Sequence, residues 1–280
     1  MTARRLPLFC DTALAERIER AEAEFIAQAS EAAGRRSGAG FVIPISGGVA
    51  SFAEVGSPFN KVAGLGFDGV PSAAVLEEIE RAFTARGAPA QIELAHLADP
   101  EIGALLTARG YRLTSFENVL GMILADAPRQ AMPPGVEVRP SDDDEFQAWV
   151  EVVADGFAYP DTQGVPSHEE FPREVIATAE RDAAAAGVLR YLALRDGAIA
   201  GGGSIRMTEG IAQLTGAATA PAHRRRGVQT ALLLARLTDA AAAGCDIAVV
   251  TTQPGSRSQQ NVQRQGFDLL YTRAVLVRHP

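Results

Sequence analysis

Cysteine is almost absent from this chain. Its 280 residues hold two, Cys10 and Cys245, too few for a disulfide framework or a cysteine-based metal site, so a reducing cytoplasmic setting and no metal are expected. No apolar run approaches the roughly 18 residues of a membrane span. The first ten residues also lack the apolar centre of a signal peptide, and no membrane partner is expected. Positive charge is in deficit, with 26 Lys and Arg against 34 Asp and Glu, a net charge of −8 and a pI near 5.1. Binding to nucleic acid or an anionic membrane grows with summed positive charge, so both are unexpected partners, and any phosphate site must be local. Lys61 is the only lysine, a compositional bias that carries no mechanism. No Gly-x-Gly-x-x-Gly follows a first strand, where a dinucleotide-binding fingerprint would stand.

What remains is ordinary globular material, 47% hydrophobic and 21% charged, in a chain long enough for two cores. The clearest break is residues 125–135, ADAPRQAMPPG, where prolines and small residues interrupt periodic sequence. It divides the chain into 1–124 and 136–280. After it, a short strand leads to Ser141, which with Asp144 reads as a helix cap box. Phe146, Trp149, Val150, Val153 and Phe157 then recur at helical spacing, so Trp149 is expected in the core. A second helix is expected from Ser167 to Ala186. Three strands follow, Val188 to Leu194, Ile199 to Met207 and Ile211 to Ala218, with Asp196-Gly197 and Glu209-Gly210 at hairpin-turn positions. Helix, strand, short helix and last strand complete the order β-α-α-β-β-β-α-β-α-β.

The N-terminal part gives nearly the same order: a helix from Thr12 to Ala33, strands Phe41 to Ile45, Val49 to Ala53 and Lys61 to Phe67, a helix from Ser72, a strand Ala90 to Ala95, a helix from Pro100 and a closing strand. Both parts end on a Gly-aromatic pair, Gly110-Tyr111 and Gly266-Phe267, just before the last strand. The offset is 156 residues at those glycines but 149 between Val62 and Ile211. The second copy therefore carries about seven extra residues between strand and helix, and they include its most basic stretch. A repeat of this length indicates duplicated domains.

That stretch is Pro221 to Thr230, PAHRRRGVQT, between a strand and a long helix. Amide N–H groups at a helix start have no intrahelical acceptor, the helix dipole adds partial positive charge, and Gly227 allows close approach of an anion. Arg224, Arg225 and Arg226 add forked donors suited to phosphate. The first copy has only Phe67 to Pro71 at this place, with an acid and no arginine.

With Arg224-x-x-Gly227-x-Gln229 after Ala217-Ala218-Thr219-x-Pro221, and Ser258-x-x-Asn261 before Gly266-Phe267, residues 136–277 resemble the GNAT superfamily of acyl-CoA-dependent N-acyltransferases. Gln229 stands where glycine or alanine is commoner in that family. The resemblance implies an α/β chain of two tandem GNAT-like domains, each a mixed twisted sheet flanked by helices, of which only the second binds acetyl-CoA as acyl donor. It places the pyrophosphate on Arg224, Arg225, Arg226, Gly227, Val228, Gln229 and Thr230. The pantetheine arm would lie along Ala217, Ala218 and Thr219, with Asn261 facing it. It implies direct acyl transfer to a primary amine of a small molecule or peptide, in a monomer or homodimer. Many members use a tyrosine in the last helix to protonate the leaving thiolate. Here Val262 stands at that position, the nearest tyrosine is Tyr271, and Ser258 or water takes the role. On the acceptor side, the segment from Asp155 to Glu170 is the richest in titratable groups, and Tyr159 and Asp161 flanking Pro160 are the expected catalytic pair. A non-catalytic acyl-CoA sensor is the alternative that the missing tyrosine allows.

Overall fold

The computed structural model describes residues 6–127, 131–158 and 171–280, with the side chains of 157 and 158 left aside. The first half supplies α1 (Thr12–Ser37), β1 (Phe41–Ile45), β2 (Gly48–Phe52), β3 (Lys61–Ala63), α2 (Ala73–Thr84), β4 (Ala90–Ala95), α3 (Glu101–Ala108) and β5 (Arg112–Ile123). The second supplies β6 (Val136–Pro140), α4 (Phe146–Ala158), α5 (Arg173–Ala185), β7 (Val188–Arg195), β8 (Ala198–Thr208), β9 (Ile211–Thr219), α6 (Val228–Ala242), β10 (Ile247–Thr252), α7 (Arg257–Arg264) and β11 (Asp268–Arg278).

Local chemistry sets several of these boundaries. The Asp11 side chain accepts from the Leu14 N–H and starts α1, and Gly38, in the left-handed region, stops it; such an N-cap is worth about 1 kcal/mol. Asp196 and Glu209 both have positive φ and are followed by positive-φ glycines, as two-residue hairpin turns require. The box before α4 is Asp142 with Glu145, one residue beyond the expected Ser141 and Asp144, because Arg139 holds the Glu145 carboxylate in place from β6. β3 ends at Ala63, not at Phe67, because the chain turns away at Gly64. α5 starts at Arg173, and residues 167–170 of the helix expected there lie outside the described residues.

All eleven strands form one sheet in the order β1-β2-β3-β4-β11-β5-β10-β9-β8-β7-β6. The closing strands are exchanged. β5 of the first half pairs antiparallel with β10 of the second, from Ile247↔Ile123 to Thr252↔Asn118. β11 of the second half pairs antiparallel with β4 of the first, from Arg273↔Ala95 to Arg278↔Ala90. β5 and β11 then pair with each other at the centre. The two copies are thus hydrogen-bonded into one sheet.

Side chains alternate across a strand, which assigns the helices to faces. Val119, Ile211 and Val249 pack with Ile18 of α1, whereas their neighbours Leu120, Ala212 and Ala248 pack with Leu233 of α6. Ala63 joins Phe25 of α1 and Ala183 of α5, whereas Val62 joins Leu76 of α2 and Ile102 of α3. Leu192 packs on Trp149 and Val153 of α4. Helices α1, α4 and α5 therefore cover one face, and α2, α3, α6 and α7 the other. Trp149 is fully buried, its indole N–H donating to the Tyr191 carbonyl.

Candidate active site

β9 and β10 run parallel but pair only at Ile247↔Ile211, Ala248↔Ala212 and Val249↔Gln213. Beyond that point β9 follows β8 as far as Thr219, and β10 follows β5. The two strands splay, leaving the outer main chain of residues 214–219 without a strand neighbour among the described residues. A register irregularity in the β8–β9 ladder opposite Ser204 accompanies the divergence. Arg236 of α6 holds this spot, donating from Nη1 to the Ser204 carbonyl and from Nε to that of Leu232. Burial pulls its guanidinium down to about 10, which leaves it charged at neutral pH.

On the α6 and α7 face the splay opens into a cleft of about 860 Å³. Its walls are Ala217, Ala218 and Thr219 of β9, the loop that follows, the first turn of α6 and one side of α7. The loop is shaped to present N–H groups. Arg225 has φ 61° and Gly227 φ 82°. A Cβ on Gly227 would stand 2.6 Å from Cβ of Pro133, so this glycine is required both by its backbone and by its neighbour. The N–H groups of Val228, Gln229 and Thr230 open α6 with no side-chain cap. Together with the guanidinium groups they suit a polyanion.

Among the sequence-derived candidates, Ala217, Ala218, Thr219, Arg224, Arg225, Gly227, Val228, Gln229, Thr230, Ser258 and Asn261 line this cleft. Arg226 does not: its side chain is exposed, and its carbonyl accepts from Arg195 Nη1 at 3.2 Å. Arg224 reaches the Gly156 carbonyl at 3.4 Å. Two cations escaped the sequence reading, Arg257 and Arg264, which line the cleft from α7. Their spacing with Asn261 is i, i+4, i+7, so one helical face was the available signal. Three buried polar atoms along the cleft, Thr219 Oγ1, His223 Nδ1 and Gln265 Oε1, have no hydrogen-bond partner among the described residues. Tyr159 and Asp161 lie outside the described residues. Tyr271 is buried, donates to Glu19 at 2.6 Å and is held well above the usual phenol range by that burial; it lines neither this cleft nor the cavity beneath it.

That cavity, about 320 Å³, shares Ala217, Gln229, Leu233, Ser258 and Val262 with the cleft and continues it through the splay. Its far side is Ile18, Glu22 and Phe25 of α1, on the opposite face of the sheet. Glu22 accepts from Gln213 Nε2 at 3.1 Å, and Gln213 in turn accepts from Arg206. Burial pushes the Glu22 carboxyl up, with Arg273 and Lys61 opposing. Arg273 bonds Glu19 at 2.7 Å and lies 3.6 Å from Glu93 and 3.8 Å from Glu117. Burial and the Glu93 charge raise Glu117 to about 7.

The equivalent place in the first half is filled. β3 meets β4 only at Val62↔Ile92, but the Gly66 N–H donates to Ser46 and its carbonyl accepts from the Asp99 N–H. A Cβ on Gly66 would stand 2.7 Å from Ala98 and 2.8 Å from Ile102. The turn thus occupies the splay itself.

Residues 137–259 match the acetyltransferase (GNAT) domain family. Among solved structures, a GCN5-related N-acetyltransferase from Kribbella flavida is 21% identical, with 90% of this chain and 95% of that one aligned at a TM-score of 0.63. A tandem GNAT protein from the clavulanic acid biosynthesis pathway is 14% identical, with 98% and 97% aligned at 0.59. A GCN5-related N-acetyltransferase from Sphaerobacter thermophilus is 17% identical, with 94% and 93% aligned at 0.57. At these identities the likeness is one of fold, and it extends over both halves. No curated protein matches the chain.

Proposed function

We propose that this protein, whose residues 137–259 match the acetyltransferase (GNAT) domain family, transfers an acetyl group from acetyl-CoA to a primary amine. The observation that carries the reading is the β9–β10 splay beside the arginine loop. An extended pantetheine arm needs strand-like hydrogen-bond partners, and residues 214–219 offer an outer main chain with no strand beside it among the described residues. A pyrophosphate needs N–H groups and cations, and Gly227 to Thr230 with Arg224, Arg225, Arg257 and Arg264 offer both. The partnerless Thr219 Oγ1, His223 Nδ1 and Gln265 Oε1 also fit a polar ligand along the same wall, since buried polar atoms are costly unless bonded. The donor supplies an activated thioester carbonyl. In the overall reaction a C–N bond forms, the C–S bond breaks, and a proton leaves nitrogen while sulfur gains one.

The chain's own contributions follow from position. A main-chain N–H near Ala218 would stabilise the oxyanion, an interaction that strengthens only as charge develops. Ser258 is exposed, lines both cleft and cavity and serves, directly or through water, as the proton source for sulfur, since Val262 cannot. Tyr159 and Asp161 remain candidates for the acceptor side. Release of free thiol from acetyl-CoA with amino acids, polyamines, amino sugars and peptide N-termini tests the proposal. Acetyl-CoA binding without thiol release from any of them would point to a sensor.

A further inference from the structure

The two halves are joined so that the hole in the sheet has two mouths with different owners. One mouth opens between α6 and α7 of the second half. The other lies under α1 of the first half, where Ile18, Glu22 and Phe25, spaced i, i+4, i+7, present one helical face to the cavity. An acyl donor held by the arginine loop would fill the first mouth, so the acceptor must approach from the second. Resting on the acetyltransfer reading, we propose that the acceptor enters from the α1 face as a cationic primary amine and that Glu22, from the half without a cofactor loop, is the carboxylate that receives it.

Charge around Glu22 favours this. The groups packed near it are Glu19 on α1, Lys61 on β3, Glu93 on β4, Glu117 on β5, Arg206 on β8 beyond Gln213, and Arg273 on β11. Lys61 pairs with Glu93, Arg273 is engaged by Glu19, and Arg206 donates to Gln213, Gln28 and main-chain carbonyls. Glu22 is the one of these four glutamates that lines the cavity, beside Arg273 and Arg236, whose guanidinium groups are engaged by Glu19 and by the Leu232 and Ser204 carbonyls. Gln213 fixes one carboxylate oxygen of Glu22 and aims the group without neutralising it. A bound ammonium pairs with the Glu22 carboxylate, and its loss of a proton to that carboxylate frees the nitrogen lone pair. The raised carboxyl narrows the gap between that acid and the amine. The cavity volume limits the inserted portion to a slender aminoalkyl group or small amino compound.

The test compares wild type with Glu22→Gln, Glu22→Asp and the exposed control Glu31→Gln, using the best amine from a screen of amino acids, polyamines and amino sugars. Acetyl-CoA affinity is measured by calorimetry, and amine affinity by calorimetry on the CoA-loaded protein. We expect E22Q to keep acetyl-CoA affinity within twofold, weaken amine binding and kcat/KM for the amine at least about tenfold, the scale of one charged hydrogen bond, and lose the low-pH limb of the rate profile. E22D keeps the charge and falls between the two, and it carries the test should E22Q bind acetyl-CoA poorly. E22Q and E22D both within twofold of wild type for the amine overturn the inference while leaving acetyltransfer intact. A wild type that binds no acetyl-CoA and acylates no amine overturns the underlying reading instead, and the inference with it.

Discussion

Arg225 sits at φ 61°, a left-handed conformation that costs a side chain with a Cβ roughly 1–2 kcal/mol and glycine almost nothing. It also lines the donor cleft. Replacing it by glycine should therefore move two assays in opposite directions. Relief of strain is partly offset by the extra freedom glycine brings to the unfolded chain, about 0.4–1 kcal/mol, leaving a net gain between zero and about 1.6 kcal/mol. For a chain of this size that raises Tm by no more than about 3–6 °C. The same substitution removes a charged donor worth about 1.5–3 kcal/mol, so acetyl-CoA should bind about tenfold to a hundredfold more weakly. The loss should shrink in high salt, because the group is exposed. Arg226→Ala is the internal control, since Arg226 is exposed and does not line the cleft, and should change affinity less than about threefold. Calorimetry and thermal melts on the same preparations decide the matter. Unchanged affinity in R225G, or a Tm drop above about 5 °C, would refute the argument.

Gly227→Ala combines a disallowed φ with a Cβ against Pro133 and should both lower Tm and abolish measurable acetyl-CoA binding, checked by the same two methods. Calorimetric titration should give one acetyl-CoA per chain, because the turn at Gly66 fills the first half's splay; two sites of similar affinity would contradict that filling. Arg273→Met strips the cationic partner from buried Glu19 and should destabilise by about 3–5 kcal/mol, measurable by urea unfolding. Glu117, raised to about 7 by burial and by Glu93, holds a proton in the folded state that the unfolded chain releases near pH 4.5. Stability should consequently fall as pH rises through that window, and Glu117→Gln should flatten the fall in a pH series of melts; an unchanged slope would count against the burial argument.

Periodicity and punctuation carry much of this protein's architecture. The helical spacing around Trp149, the glycine-marked hairpins at Asp196 and Glu209, and the repeat offset are local patterns, and local patterns are written in neighbouring residues. The arginine loop was legible for the same reason, since strand, basic turn, glycine and helix adjoin in sequence. The exchange of β5 and β11 was not legible, because both closing strands have the same alternation and either penultimate strand would satisfy their hydrogen bonds. Pairing partners are chosen by tertiary register, which no single segment encodes. For the same reason nothing in the sequence sets Glu22 apart from the other glutamates of α1. It becomes a cavity wall only when the exchanged strands bring α1 beneath the gap between β9 and β10, some 190 residues further along the chain. Local sequence thus determined where an anion could be held, whereas the joined sheet alone decided what faces it from the other side.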